Sequence, residues 1–137
     1  MERLETLRDR IIKQGTITPS EVGELREVLY SGDGMDIVKG TILFEIKDAL
    51  LKGKSIPEFK RLFVEAITKQ LLEDERSFAR IDKEEAQWLR RRIQYVGNYD
   101  SYDRALIENL RKKSTNFPKI LEQKSRSTRL FENVLYI

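Results

Sequence analysis

Apolar side chains recur at intervals of three and four residues through most of this chain, the spacing that lines them up on one face of an α-helix. Leu4, Leu7 and Ile11 make one narrow stripe, and Tyr102, Leu106 and Leu110 make another. Two segments are apolar on most sides: 37–51, with Ile42, Leu43, Phe44 and Ile46, and 57–73, with Phe59, Leu62, Phe63 and Ile67. A helix that is apolar around most of its circumference belongs at the centre of a fold. The pattern predicts helices over about 2–13, 19–30, 37–51, 57–73, 83–96 and 102–113, with a short turn near 118–123. No stretch longer than two or three residues shows the alternation of a strand. The expected architecture is all-α: a compact single-domain bundle of six or seven helices around two central ones.

Helix starts repeat along the chain. In Thr18-Pro19-Ser20-Glu21 the Thr18 hydroxyl can accept the third helical N–H while the Glu21 carboxylate reaches back to the Thr18 N–H, and Pro19 suits the first helical position. Ser55-Ile56-Pro57-Glu58 repeats the arrangement with proline one place later, and Asp82-Lys83-Glu84-Glu85 repeats it again. Ile17 with Val22, and Ile81 with Ala86, are spaced as hydrophobic staples across two of these starts. A degenerate copy, "GMDIVKGTIL", has Met35 as staple and Asp36 as cap, but Lys39 stands where the acidic residue belongs.

Beyond Lys113 the chain changes character. "STNFPKILEQKSRSTRLFENVLYI" is polar at first and apolar at its end, so residues 1–113 form the expected helical domain and 114–137 a short helix and tail. The apolar end either folds back on the body or docks a partner.

Composition narrows the chemistry. Among 137 residues there is no cysteine and no histidine, which excludes disulfides, thiol nucleophiles, zinc–thiolate sites and the commonest general base. The expectation is therefore a protein that is not an enzyme, with no cofactor and no catalytic residues. No apolar run approaches the ~20 residues that span a bilayer, so no membrane role is expected, and "MERLETLRDR" lacks a signal core, which points to the cytoplasm. Residues 1–68 carry 11 basic and 12 acidic side chains, a net of −1, whereas residues 69–137 carry 15 and 11, a net of +4.

The basic half contains "EEAQWLRRRIQYV", with three consecutive arginines beside the lone tryptophan. Successive helical side chains fan out by ~100°, so the arginines do not form one patch. Ala86, Leu89, Ile93 and Val96 form the core stripe, while Trp88 and Tyr95 share another face with Arg91 and Arg92 on either side. Either a further segment covers that face, or Trp88, Arg91, Arg92 and Tyr95 are a protein-docking surface, since Trp, Tyr and Arg are enriched at interface hot spots. A nucleic-acid-associated role is the alternative. It would use Lys112, Lys113, Lys124, Arg126 and Arg129, although Glu108, Glu122 and Glu132 interrupt them and no helix-turn-helix or ribonucleoprotein signature accompanies them.

Metal chemistry finds little support. Aligning "YSGDGMD" with a calcium loop puts Gly34 at position six, Leu29 at position one and Gly40 at position twelve, so two of four key oxygen ligands are missing. The carboxylates at Glu73-Asp74-Glu75, Glu84-Glu85 and Glu21, Glu24 and Glu27 suit solvent faces or first helical turns, where the helix dipole favours negative charge. Stoichiometric calcium or zinc binding is not expected.

The repeated I-[T/D]-x-x-E helix starts, with "SGDGMDIVKGTILFEI" between them, resemble the TerB-like helical domains of tellurite-resistance type and a related uncharacterised bacterial helical family, across residues 16–122. "RLFVEAITKQLL" and "EEAQWLRRRI" are the most similar segments. The resemblance implies a stress-associated, metal-linked or scaffolding role without assigned catalytic residues. Met35 and Lys39 depart from the pattern, which would have Val or Ile and Glu there, and Lys39 removes the carboxylate a metal-linked role would use. Together these observations lead to the expectation of a non-catalytic protein–protein interaction or scaffold module with a protein partner.

Overall fold

A computed structural model describes residues 2–50, 55–73, 80–96 and 100–118, with only the backbone of 94–96. The described residues form six helices and no strand: α1 (Glu2–Gln14), α2 (Pro19–Leu29), α3 (Ile37–Leu50), α4 (Pro57–Leu72), α5 (Lys83–Val96) and α6 (Ser101–Lys113). The all-α expectation holds, and each helix starts and stops within one residue of its predicted span. The turn expected near 118–123 and the apolar tail end lie outside the described residues, apart from Pro118. The chain divides into two compact units, Met1–Gln70 and Leu71–Ile137.

In the first unit α1 packs against α2 and α3. Leu4, Leu7 and Ile11 of α1, Val22, Leu25 and Leu29 of α2, Ile42, Leu43, Phe44, Ile46 and Leu50 of α3, and Phe59, Leu62, Phe63 and Ile67 of α4 are buried, whereas Ile37 and Val38, also apolar positions of the predicted central helix, are exposed in its first turn. Burying each such side chain contributes about 1.5–3 kcal/mol. Phe44 of α3 meets Phe63 of α4 edge-to-face at 5.0 Å between centroids, and Phe59 lies 6.5 Å from Phe63. Lys47 is wholly buried beside this cluster, its Nζ 5.1 Å from the Phe44 centroid and 3.4 Å from Asp48 Oδ1. Aromatic faces and a carboxylate oxygen partly replace the hydration that a buried ammonium loses.

α1 stops where Gly15 takes a positive φ of 71° and its N–H bonds to the Ile11 carbonyl, a stop that favours glycine. α4 starts with Pro57 at its first position, and the Ile56 carbonyl accepts from the Phe59 and Lys60 N–H groups.

In the second unit Ile81, Ala86, Leu89 and Ile93 are buried, as are Tyr102, Leu106, Ile107 and Leu110 of α6. Asn116 clamps the segment before α5: its Oδ1 accepts from the Ile81 N–H at 3.0 Å, and its Nδ2 donates to the Ile81 carbonyl at 3.2 Å. Arg80 and Asn116 form an isolated parallel bridge at the same place. An amide side chain thus copies the pairing of a strand and ties the chain leaving α6 to the chain entering α5.

Candidate functional site

The residues with chemical potential fall into three groups: the carboxylates at helix starts, the arginine-rich face of α5, and the loop between α2 and α3. Each was singled out by sequence, and tertiary structure gives each a different fate.

The carboxylates are structural. Thr18 Oγ1 accepts from the Glu21 N–H at 3.1 Å while Glu21 Oε1 accepts from the Thr18 N–H at 3.0 Å, which completes the expected reciprocal cap. Asp82 and Glu85 do the same at 2.7 and 2.9 Å. A third reciprocal cap, Asp100 with Asp103, was not anticipated, because Asp replaces the usual Glu or Gln in D-x-x-D. Glu21, Glu85 and Asp103 are all buried. Arg10 closes over the first cap, bonding Glu21 at 3.2 Å and Glu24 at 3.4 Å, and Arg3 reaches Glu27 at 3.6 Å. These pairs border an open groove lined by Glu2, Arg3, Thr6, Leu7, Arg10 and Glu24, in which Arg10 is paired with Glu24 across the lining and Arg3 with Glu27 beside it. Glu73 and Glu84 are exposed, and Asp74 and Glu75 lie outside the described residues. Among the described residues no three Asp or Glu side chains gather as metal ligands.

A surface cluster joins α2 to α4. Glu65 Oε2 accepts from the Tyr30 hydroxyl at 2.5 Å and from Arg26 at 2.6 Å, and Lys69 Nζ lies 4.7 Å from the Tyr30 ring centroid. Burial pushes the Glu65 carboxyl upward and is the largest single influence, but the bonds from Tyr30 and Arg26 with the charges of Arg26 and Lys69 outweigh it and hold the group below the ordinary glutamate range.

On α5 the expected docking face is reduced. Trp88 is only 7% exposed, so its ring belongs to the buried side of the helix rather than to a partner-facing surface. The reason is angular: Trp88, Glu85, Ile93, Leu89 and Ala86 are all buried, and at ~100° per residue they span an arc of about 160°, wider than the four-residue stripe read from sequence. Arg91 is exposed and Arg92 half-buried, while the Tyr95 side chain lies outside the described residues. Of the alternative basic set, Lys112 and Lys113 are exposed in the last turn of α6 with Arg111, whose guanidinium lies 4.8 Å from the Phe117 ring centroid. Lys124, Arg126 and Arg129 lie outside the described residues.

The α2–α3 loop is where the degenerate helix start sits. Asp36 Oδ1 accepts from the Lys39 N–H at 2.8 Å and the Asp36 carbonyl accepts from the Gly40 N–H at 2.9 Å, so Asp36 caps α3 as expected. Lys39, at the third helical position, does not reach toward the cap. Its ammonium donates to the carbonyls of Leu29, Ser31 and Gly34 at 2.9, 3.0 and 2.7 Å. Gly32 and Gly34, at φ of 66° and 83°, supply the left-handed turns of this loop. A cation already sits in this loop, held by the backbone carbonyls of Leu29, Ser31 and Gly34, none of which a calcium-loop alignment would use as a metal ligand. Sequence showed only that the acidic residue was missing, and nothing in it signalled what the lysine does instead.

No family model, no curated protein and no solved structure matches the chain.

Proposed function

We propose that the protein is a non-catalytic interaction module that binds a protein partner. The observation that carries this reading is the fate of the buried carboxylates: Glu21, Glu85 and Asp103 are each tied to the start of a helix. A general acid or base has to change protonation without collapsing its own fold, and side chains that cap helices are poorly placed for that work. Surface remains for a partner. Arg91 and Arg92 of α5 are accessible in whole or part, and at the start of α3 Ile37 and Val38 are 38% and 54% exposed. The TerB-like likeness, a stress-associated role and a cytoplasmic setting belong to the same proposal and rest on the sequence segments quoted for them. Among the described residues no helix is long and apolar enough to cross a membrane.

The second reading, an accessory protein on nucleic acid, draws on Arg111, Lys112 and Lys113, all exposed at the end of α6. One pair of measurements separates the two. The whole chain is immobilised and challenged with host extract, with and without nuclease, and then with duplex DNA over a salt series. The interaction module predicts a protein captured regardless of nuclease and lost in Arg91→Glu/Arg92→Glu or in Val38→Asp. The alternative predicts DNA binding whose log-affinity falls with log-salt by ~0.9 for each phosphate neutralised. It also predicts a shallower slope in Lys112→Glu/Lys113→Glu. Tight, salt-steep DNA binding with no nuclease-resistant protein partner would overturn the first reading.

A further inference from the structure

The loop between α2 and α3 closes around an ammonium group, and the group is the chain's own. A lysine ammonium has three N–H donors and no acceptor. Lys39 directs all three at backbone carbonyls within hydrogen-bonding distance: Leu29 at the last turn of α2, then Ser31 and Gly34 in the loop. The Leu29 carbonyl belongs to the negative end of α2, where carbonyls have no partner within the helix and a positive charge is favoured. Lys39 is also pinned at its backbone, since its own N–H donates to Asp36 Oδ1. Lys39 therefore fastens the end of one helix, the loop and the start of the next.

Backbone bonds alone hold this loop weakly. Gly34 N–H to the Ser31 carbonyl is 3.3 Å and Ser31 N–H to the Val28 carbonyl is also 3.3 Å, while the three Lys39 contacts are 2.7–3.0 Å and the Ser31 hydroxyl donates to the Val28 carbonyl at 2.7 Å. Two glycines with positive φ lower the cost of the closed form and equally widen the range of open ones.

We infer that Lys39 is a tethered cation in a carbonyl site built by the loop, a latch that keeps residues 30–36 closed and sets how Met35 and the start of α3 are presented. The site is specific for a primary ammonium: three converging acceptors match the three-fold geometry of –NH₃⁺ and not the planar fork of a guanidinium. This inference stands on the loop geometry and is independent of the proposed function.

Two measurements test it. In the unmodified protein, nitrogen-15 NMR of the lysine ammonium groups should show Lys39 protons exchanging with water far more slowly than those of exposed Lys13, Lys112 and Lys113. A Lys39 signal exchanging as fast as theirs would overturn the latch. In Lys39→Ala, amide hydrogen exchange should accelerate at least tenfold at Gly34 and its loop neighbours while α1 amides keep their protection. Ethylammonium should restore protection with increasing concentration, and tetramethylammonium at equal ionic strength, which has no N–H to donate, should not. Lys39→Arg should remain fast-exchanging. Loop exchange that is unchanged in Lys39→Ala, or restored equally by both cations, would show that the ammonium does not hold the loop.

Discussion

The starts of α2 and α3 share a frame and differ in the sign of one charge. Each has a staple position, a capping oxygen and a third helical residue whose side chain turns back toward the preceding chain. At α2 that residue is Glu21, which meets the Thr18 N–H, and at α3 it is Lys39, which meets three carbonyls. What differs is the group the side chain reaches. Ahead of α2 it finds the bare N–H of the capping residue. Ahead of α3, only seven residues separate the two helices, and the reach of a lysine extends past its own cap to the carbonyl end of α2. The favoured charge at the third position follows from the local field, not from the motif.

Reversing the charge at each start should separate these cases. The largest effect is expected for Glu21→Lys, which places an ammonium at the positive end of α2, strands the Thr18 N–H and repels Arg10. Urea unfolding should show a loss of about 3 kcal/mol, from a lost charged hydrogen bond and an unfavourable helix-dipole contact. Lys39→Glu is the sharper test because the two rules disagree on its sign. It restores the standard reciprocal cap, and helix-start rules alone would make it neutral or stabilising. The latch predicts a loss of about 2 kcal/mol, since a carboxylate would face three carbonyl oxygens and the negative end of α2. A stability gain would break the comparison in favour of the motif.

A smaller effect is expected at Glu65 of α4, which accepts from Tyr30 at the end of α2. Its carboxyl is held below its ordinary value, so it contributes stability at pH above the unfolded glutamate range, and that contribution is lost as pH falls through its folded value. Tyr30→Phe removes the hydroxyl donor and should make the loss of stability less steep as pH falls from the unfolded glutamate range through the folded value of Glu65, without changing the slope near neutrality. An identical pH profile in the variant would mean that the Tyr30 bond does not set the Glu65 titration. Because the Glu65 side chain is still 39% exposed, solvent screening keeps this the weakest of the three.

Much of this protein was legible in its letters. The helical spans follow from apolar residues spaced by three and four, a local property that survives any packing. The caps at Thr18, Asp36 and Asp82 follow from side chains that bond to backbone within three residues of themselves, which is also a local matter. The Asp100–Asp103 cap was within reach of the same logic and was hidden only by the shorter acid.

Tertiary structure decided whatever depended on a neighbour distant in sequence. Periodicity places Trp88 off the central stripe of α5, but how wide an arc of a helix is buried depends on what lies over it, and that is a property of the packed chain. Asn116 finds Ile81, 35 residues away, through a pairing no pattern announces. Buried Lys47 lies inside an apolar helix, its charge faced by rings from two helices. Lys39 looks in sequence like a defect in a repeat. Its role appears only when the loop brings the carbonyl end of one helix within reach of the next, because hydrogen bonding depends on separation in space, and the sequence specifies that separation only through the fold.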